Sequence, residues 1–232
     1  IIVDDDSTDD TYSLSVELCK EMENYKSIIA NDKLYKGKRG ALDIGIKASK
    51  FPYILITDAD CQPEKGWIKS FANQFSHNDE FVFGVAPFRS NNNLTNLIAR
   101  FENLKASMLM FSFAKLGFPY SASARSFGFT KDAFNKISGY KNTTVTLSGD
   151  DDLLLQEAIK QKMKIGVVTN IDAFVYSATK NIYSEYVNQK SRHTSTSIHY
   201  SLKSKLLLSS WYLINLVSIF SFLLIPLNTI FL

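Results

Sequence analysis

Two aspartates separated by a single residue, Asp58 and Asp60, form the clearest candidate for chemistry in this sequence. They directly follow the apolar residues 53–57, which predict a buried strand. Mg²⁺ and Mn²⁺ prefer oxygen ligands and are commonly held by one or two carboxylates together with substrate phosphates. Acids that follow a strand can also simply cap the next helix. Taken alone, the pair is therefore compatible with two interpretations, a metal site and a helix cap.

A second acidic turn follows the first apolar residues of the chain. Asp4 and Asp5 come directly after residues 1–3, which read as the end of a buried strand. In an open sheet with alternating strands and helices, ligands bind outside the carboxyl ends of the strands. Both acidic turns would lie at that edge, where a carboxylate could accept hydrogen bonds from a base or a ribose. A solvated surface turn is the alternative.

A basic, glycine-flanked stretch, residues 36–40 (KGKRG), precedes a predicted helix. Lys38 and the first N–H groups of that helix could contact a phosphate. A solvated surface loop explains the same residues equally well, and the sequence does not decide between them.

Three adjacent acids, Asp150, Asp151 and Asp152, stand at the start of a predicted helix that runs to about residue 163. The helix dipole favours acids there by about 0.3–1 kcal/mol each. However, adjacent carboxylates repel one another, and a cap needs only one of them. A general base beside an acceptor hydroxyl would account for another.

The coarse pattern of the chain indicates an α/β fold with a mostly parallel central sheet and helices on both faces, because strands alternate with helices. The chain opens directly on a strand-like apolar run, so we expect that an N-terminal strand is missing. We expect residues 1–200 to form one catalytic domain. A polar stretch at residues 189–193 (QKSRH) by itself indicates only the surface of a helix.

The bulk composition excludes several classes of protein. The 232 residues are 45% hydrophobic and 21% charged, the mixture of a globular protein rather than a disordered one. The net charge of +3 is too small to suggest nucleic-acid binding. Two cysteines, Cys19 and Cys61, provide neither a disulfide framework nor zinc-ligand spacing. A reduced, cytosolic setting fits best.

Residues 206–232 contain no charged side chain. About 20 apolar residues are needed for a helix to cross ~30 Å of hydrocarbon, so this segment predicts a transmembrane helix. Lys203 and Lys205 precede it, which predicts a catalytic domain on the cytoplasmic side of the inner (plasma) membrane. A helix lying flat in the interface is the alternative, because serines and Asn215 lower the hydropathy.

In combination, six segments resemble motifs of the inverting family 2 glycosyltransferases, which have a GT-A (Rossmann-like) nucleotide-sugar-binding fold. The segments follow the order and rough spacing of that family over about residues 1–200. They are IVDDDSTD at 2–9 (like V-D-D-G-S-x-D), KRGALDIGI at 38–46 (like K-x-x-A-L-N-x-G-I), the D-x-D at 58–60, FTKDAFNKISGY at 129–140, GDDDLL at 149–154 (like E-D-x-x-L), and QKSRH at 189–193 (like Q-x-x-R-W).

The resemblance implies a nucleotide-sugar donor, a UDP-sugar being favoured, and a lipid or glycan acceptor in polysaccharide or glycolipid biosynthesis at a membrane. It implies a Mg²⁺ or Mn²⁺ cofactor, and the small net charge has already argued against a nucleic-acid partner. It also implies a role for each matching residue. Asp5, with Asp4, would contact the nucleobase, and Lys38 would bind the donor. Asp58 and Asp60 would hold the ribose and the metal-bound diphosphate, and Asp151 would be the general base. The residues that would face the diphosphate or the acceptor are Asp150, Gln189, Arg192 and His193.

Three positions depart from the family pattern. Asp6 stands where glycine is usual, Asp150 replaces a glutamate, and His193 replaces a tryptophan. The first departure puts the shape of the nucleotide turn in question. The last puts in question the stacking surface associated with processive synthases.

Three other functions remain as alternatives. A related nucleotidyltransferase would share the sheet and the metal acids, but would leave residues 189–193 unexplained. A receiver-type signalling domain would need only the first half of the chain and would leave Asp150 to Asp152 without a use. A catalytically silent scaffold is disfavoured because Asp58, Asp60 and Asp151 are all present.

Overall fold

The computed structural model describes residues 1–146 and 148–228, with the side chains of the last helix described through residue 221. It contains eight strands and eight α-helices in these parts of the chain. The strands are β1 (Ile2–Asp4), β2 (Ser27–Ile29), β3 (Tyr53–Ile56), β4 (Cys61–Pro63), β5 (Phe81–Gly84), β6 (Phe127–Thr130), β7 (Ile165–Val168) and β8 (Val175–Ser177). The helices are α1 (Thr11–Lys20), α2 (Lys38–Ala48), α3 (Trp67–Ser76), α4 (Leu94–Lys115), α5 (Lys131–Lys136), α6 (Asp152–Lys160), α7 (Tyr183–Thr194) and α8 (Leu202–Asn228).

The central sheet has four strands in the order β3-β6-β5-β7. Strand β5 pairs in parallel with β7, whereas β6 is antiparallel to both β3 and β5. The strands β3, β5 and β7 therefore run in one direction, as the sequence predicts, but β6 is inserted among them in the opposite direction. Two smaller sheets complete the described part: β1 and β2 pair in parallel, and β4 and β8 pair antiparallel.

Aromatic residues of the central sheet form its core. Phe81, Phe127 and Phe129 are almost fully buried, and the ring of Phe129 stacks on that of Phe134 at a centroid distance of 5.0 Å. Burial of each such side chain stabilises the fold by about 1.5–3 kcal/mol. Strand β6 is packed so closely against β3 that a Cβ at Gly128 would lie 2.6 Å from a Leu55 methyl group. This packing fixes the end of β3, where the first candidate site residues follow.

The chain divides into two compact units, Ile1–Thr196 and Ser197–Leu232. All of the residues assigned roles from the sequence lie in the first unit. Helix α8 lies in the second, together with the last turn before it.

The prediction of a transmembrane helix at residues 206–232 is wrong, as far as the structure describes these residues. None of the helices there combines enough length with enough apolar character to cross a membrane. Two charged residues, Lys203 and Lys205, lie in the first turn of α8. Ser209, Ser210 and Asn215 then interrupt the apolar sequence. Residues 229–232 lie outside the described part, and the location of the protein at a membrane stays a prediction.

Candidate active site

The two acids of the D-x-D motif lie in the turn between β3 and β4. Asp58 and Asp60 each present a carboxylate oxygen within 4.8 Å of the other and of the thiol of Cys61. Burial, together with the charges of Asp58 and Asp60, raises the pKa of the Cys61 thiol, so sulfur stays protonated. The chemistry of this donor set therefore fits a hard divalent cation bound by two carboxylates rather than a soft, thiolate-bound metal.

Lys38 joins this turn to the acidic triplet. It is the first residue of α2, after Gly37, whose φ of +65° suits glycine. Its ammonium group donates to Asp58 Oδ1 and lies 3.6 Å from Asp150 Oδ2. Burial lowers the pKa of Lys38, but the charges of Asp150 and Asp58 raise it by more, so the lysine stays charged. The structure thus brings together three residues that the sequence predicts for the site.

The three acids at the start of α6 have three different environments. Asp150 faces Lys38, and its Oδ2 is buried without a hydrogen bond in the described structure. Asp151 Oδ2 accepts a 2.6 Å hydrogen bond from the peptide N–H of Ala124. Asp152 accepts from the hydroxyl of Ser121 and two further donors. Asp152 therefore anchors the loop at residues 121–124. This structural role accounts for the presence of one of the three acids without a part in catalysis.

Asp151 has the electrostatic properties of a general base. Burial, followed by the neighbouring charges of Asp152 and Asp150, raises the pKa of Asp151 to about 8. The peptide N–H groups of Asp152 and Ala124 oppose this shift without cancelling it. A carboxylate with a pKa near the working pH accepts a proton far more readily than an ordinary aspartate does.

The first acidic turn lies at the carboxyl end of β1. Asp4 is buried; its Oδ1 accepts from the N–H of Ser7, while its Oδ2 has no hydrogen-bond partner within the described residues. Asp5 forms an ion pair with Lys33. A cavity of about 460 Å³ opens beside this turn, lined by Asp6, Ala30, Asn31, Asp32 and Lys33. An unsatisfied buried carboxylate oxygen at the end of a strand fits a ligand that carries N–H or O–H donors.

The residues predicted on α7 are only partly joined to the others. The pKa of His193 is lowered by partial burial of its ring and by the charge of Arg192. The charges of Asp152 and Asp150 raise this pKa, but by less. His193 therefore lies within electrostatic range of the acidic triplet. The side chains of Gln189 and Arg192 make no hydrogen bond to another predicted site residue in the part of the chain described.

Sequence reasoning missed two arginines at this site. Arg39, the second residue of α2, is buried and donates to the carbonyl oxygens of Thr146 and Ser148, at 2.9 and 3.3 Å. It therefore ties α2 to the loop that precedes the acidic triplet. A cation in the first turn of a helix opposes the dipole, and this was the one signal that could have indicated a special role. Arg125, described below, had no comparable signal.

Comparisons with known proteins identify the family and the fold. Residues 1–137 match the family model described as "Glycosyl transferase family 2". No curated protein matches the sequence at a significant level. Among solved structures, the chain is similar to the mannosyltransferase PcManGT from Pyrobaculum calidifontis in complex with GDP-Man and Mn²⁺. The TM-score is 0.57 at 15% sequence identity, over 85% of this chain and 54% of that chain.

A second solved structure is the glucosyl-3-phosphoglycerate synthase from Mycobacterium tuberculosis in complex with phosphoglyceric acid. Its TM-score is 0.49 at 17% identity, over 81% of this chain and 62% of that chain. This chain spans about half the length of the mannosyltransferase. The likeness to the mannosyltransferase confirms the predicted GT-A-like α/β fold.

Proposed function

We infer that this chain, which belongs to glycosyltransferase family 2, is a glycosyltransferase. We propose that it transfers a sugar from a nucleotide-diphosphate donor to a hydroxyl group of a lipid or glycan acceptor, with inversion at the anomeric carbon. The catalytic domain comprises residues 1–200, which contain every residue used below. UDP-sugars are the favoured donors.

One observation supports this proposal best. The ammonium group of Lys38 contacts both Asp58 and the acidic triplet, which contains the proposed general base, Asp151. It donates to Asp58 and lies 3.6 Å from Asp150, whose neighbour Asp151 has a pKa of about 8. The proposed donor-binding turn and the segment of the proposed proton acceptor are therefore close together, as a single displacement requires.

Each residue would contribute to one part of the reaction. Asp58 and Asp60 would hold Mg²⁺ or Mn²⁺, which when bound supplies positive charge that offsets the charge on the leaving diphosphate. Asp4, with its unsatisfied oxygen, would accept a hydrogen bond from the nucleotide, beside Asp5. Lys38 would exchange its contact with Asp58 for a phosphate oxygen.

Asp151 would accept the proton of the attacking hydroxyl group. The oxygen of that hydroxyl forms a bond to the anomeric carbon, while the bond from that carbon to the diphosphate oxygen breaks. The electron pair leaves with the nucleoside diphosphate, and one displacement inverts the configuration. The N–H of Ala124 keeps one oxygen of Asp151 fixed while this happens. Gln189, Arg192 and His193 would border the acceptor side.

A donor screen tests this function. The full-length protein is incubated with Mn²⁺, a panel of UDP-sugars and GDP-mannose, and a mixture of lipid and glycan acceptors. We expect release of a nucleoside diphosphate from at least one donor and an inverted glycosidic product. Asp151→Asn serves as the inactive control. Release of pyrophosphate in place of nucleoside diphosphate would instead indicate a nucleotidyltransferase, and no turnover of any donor would contradict the proposal.

A further inference from the structure

Arg125 lies in a short 3₁₀ turn, Ala124–Ser126, between the two halves of the candidate site. The first peptide N–H of this turn donates to Asp151. The carbonyl oxygen of Arg125 accepts a 2.8 Å hydrogen bond from the hydroxyl of Thr57, the residue directly before Asp58. The backbone at Arg125 therefore connects the candidate base to the candidate metal turn.

The side chain of Arg125 is held by two contacts. Its Cζ lies 4.5 Å from the centroid of the Phe88 ring, and its Nη1 donates a 2.7 Å hydrogen bond to Ser177 Oγ. Ser177 pairs with Cys61 between β8 and β4, so the guanidinium lies beside the strand that follows the D-x-D turn. Among the described residues, neither Nε nor Nη2 of Arg125 has a hydrogen-bond acceptor.

The charge of this side chain faces the acids of the site. Burial lowers the pKa of Arg125, and the charges of Asp58 and Asp60 oppose that shift. Asp151 is also within electrostatic range. A guanidinium stays protonated at any working pH, so the site contains a fixed cation with N–H donors that the protein leaves unused. A planar fork of such donors matches the oxygens of a phosphate group.

We propose that Arg125 binds the diphosphate of the nucleotide-sugar donor through its unused N–H donors. This inference rests on the proposed function, which supplies the diphosphate. Phe88 and Ser177 orient the guanidinium, and Lys38 provides a second cation in contact with Asp58. Arg125 thereby adds a contact that forms only with the phosphate part of the donor, and it stabilises the charge on the leaving group.

The test compares ligands that differ only in their phosphates. Binding of a nucleoside, its monophosphate and its diphosphate is measured by calorimetry in Mg²⁺, with both the uridine and the guanosine series. In Arg125→Met we expect the affinity for the diphosphate to fall about 10- to 100-fold, the scale of one or two charge-assisted hydrogen bonds. The affinity for the nucleoside should not change. Arg125→Lys keeps the charge but not the planar fork of N–H donors. Its affinity for the diphosphate should therefore lie between that of the wild type and that of Arg125→Met.

Arg89→Met is a matched control. Arg89 also lies over an aromatic ring, that of Tyr176, and donates to a side-chain oxygen, that of Gln62. Its removal should leave diphosphate affinity unchanged. The proposal is overturned if Arg125→Met binds the diphosphate as well as the wild type, or if it weakens nucleoside and diphosphate equally, as the loss of a purely structural brace would. If the wild-type protein binds neither series, the proposed function itself fails, and this inference with it.

Discussion

The ammonium group of Lys38 lies 3.6 Å from the carboxylate of Asp150 while it donates a hydrogen bond to Asp58. One side chain thus neutralises part of the candidate metal site and part of the segment next to the candidate base. A divalent cation that binds Asp58 competes with this ammonium group, because two cations bound to one carboxylate repel each other. Metal binding and the position of Lys38 are therefore coupled.

Lys38→Met should raise the affinity for Mn²⁺ in the absence of donor. The lysine competes with the metal for Asp58, and a pair this exposed contributes up to about 1 kcal/mol, or roughly 5-fold in affinity. Titration of Mn²⁺ followed by electron paramagnetic resonance measures the change. Lys36→Met removes the same charge from the same loop and should have a much smaller effect. Equal or weaker Mn²⁺ binding by Lys38→Met would show that no competition exists.

Asp60→Ala should abolish sugar transfer and Mn²⁺ binding while leaving the thermal unfolding temperature nearly unchanged. Asp60 is exposed, and the one contact of its carboxylate to a described residue is a long one from the Cys61 thiol. Wild-type activity should also vanish in excess EDTA and return with Mg²⁺ or Mn²⁺. Glu64→Ala, a change of an exposed acid a few residues further on, is the control and should remain active. Full activity in EDTA would contradict the metal assignment.

Particular residues show what sequence alone could and could not predict here. The alternation of strands and helices predicts an α/β fold, and the position of Asp58 directly after an apolar strand predicts the edge of the sheet where it lies. Asp6 replaces a glycine, and the structure gives it a φ of +65°, a conformation that aspartate tolerates better than most residues. The role of Arg125 was not predictable, because it depends on the pairing of two strands more than 100 residues apart in the chain.

The acidic triplet shows the same limit. Adjacent residues at the start of a helix point in directions about 100° apart. Which of them binds the loop at residues 121–124, and through which atoms, is a contact that the sequence does not reveal. The structure assigns Asp152 to this loop and leaves Asp151 with a raised pKa.

Substitutions in the triplet should therefore separate catalysis from stability. Asp151→Asn should lower kcat by at least ~10²-fold, the scale of a lost general base, with donor binding and fold retained. Asp152→Ala should instead lower the free energy of unfolding by about 1.5–3 kcal/mol, because Ser121 and the N–H of Ala122 lose a charged acceptor. Steady-state kinetics and chemical denaturation of both variants measure this. The reverse pattern would move the base to Asp152.

The activity of the free enzyme should rise with pH. Asp151 must be ionised to accept a proton, and its pKa is raised to about 8 by burial and by Asp152 and Asp150. We expect log kcat/KM to increase with a slope of one below about pH 8 and to level off above it. Because the acids titrate together, the apparent pKa belongs to the cluster. A profile that is flat between pH 6 and 9 would contradict the assignment of Asp151.

The same carboxyl group should make stability depend on pH in the opposite direction. An aspartate has a pKa of about 3.9 in an unfolded chain, so between about pH 4 and 8 the folded protein retains a proton on Asp151 that the unfolded chain has lost. The stability contributed by this protonation is complete below about pH 4 and is lost as the pH rises through 8. Asp151→Asn has no such dependence.

The comparison to make is thermal unfolding of the wild type and Asp151→Asn in EDTA from pH 4.5 to 9. Other titrating groups are common to both proteins and cancel in the difference. We expect the Tm of the variant, relative to the wild type, to increase steadily up to about pH 8 and then level off, with a total rise of at least about 2–4 °C, which corresponds to roughly 1 kcal/mol in a protein of this size. Asp9→Asn, a change of an exposed acid, should give a difference that does not grow with pH above 5. A constant offset between the wild type and Asp151→Asn would mean that the carboxyl group of Asp151 has an ordinary pKa in the folded protein, and that it is already ionised at neutral pH.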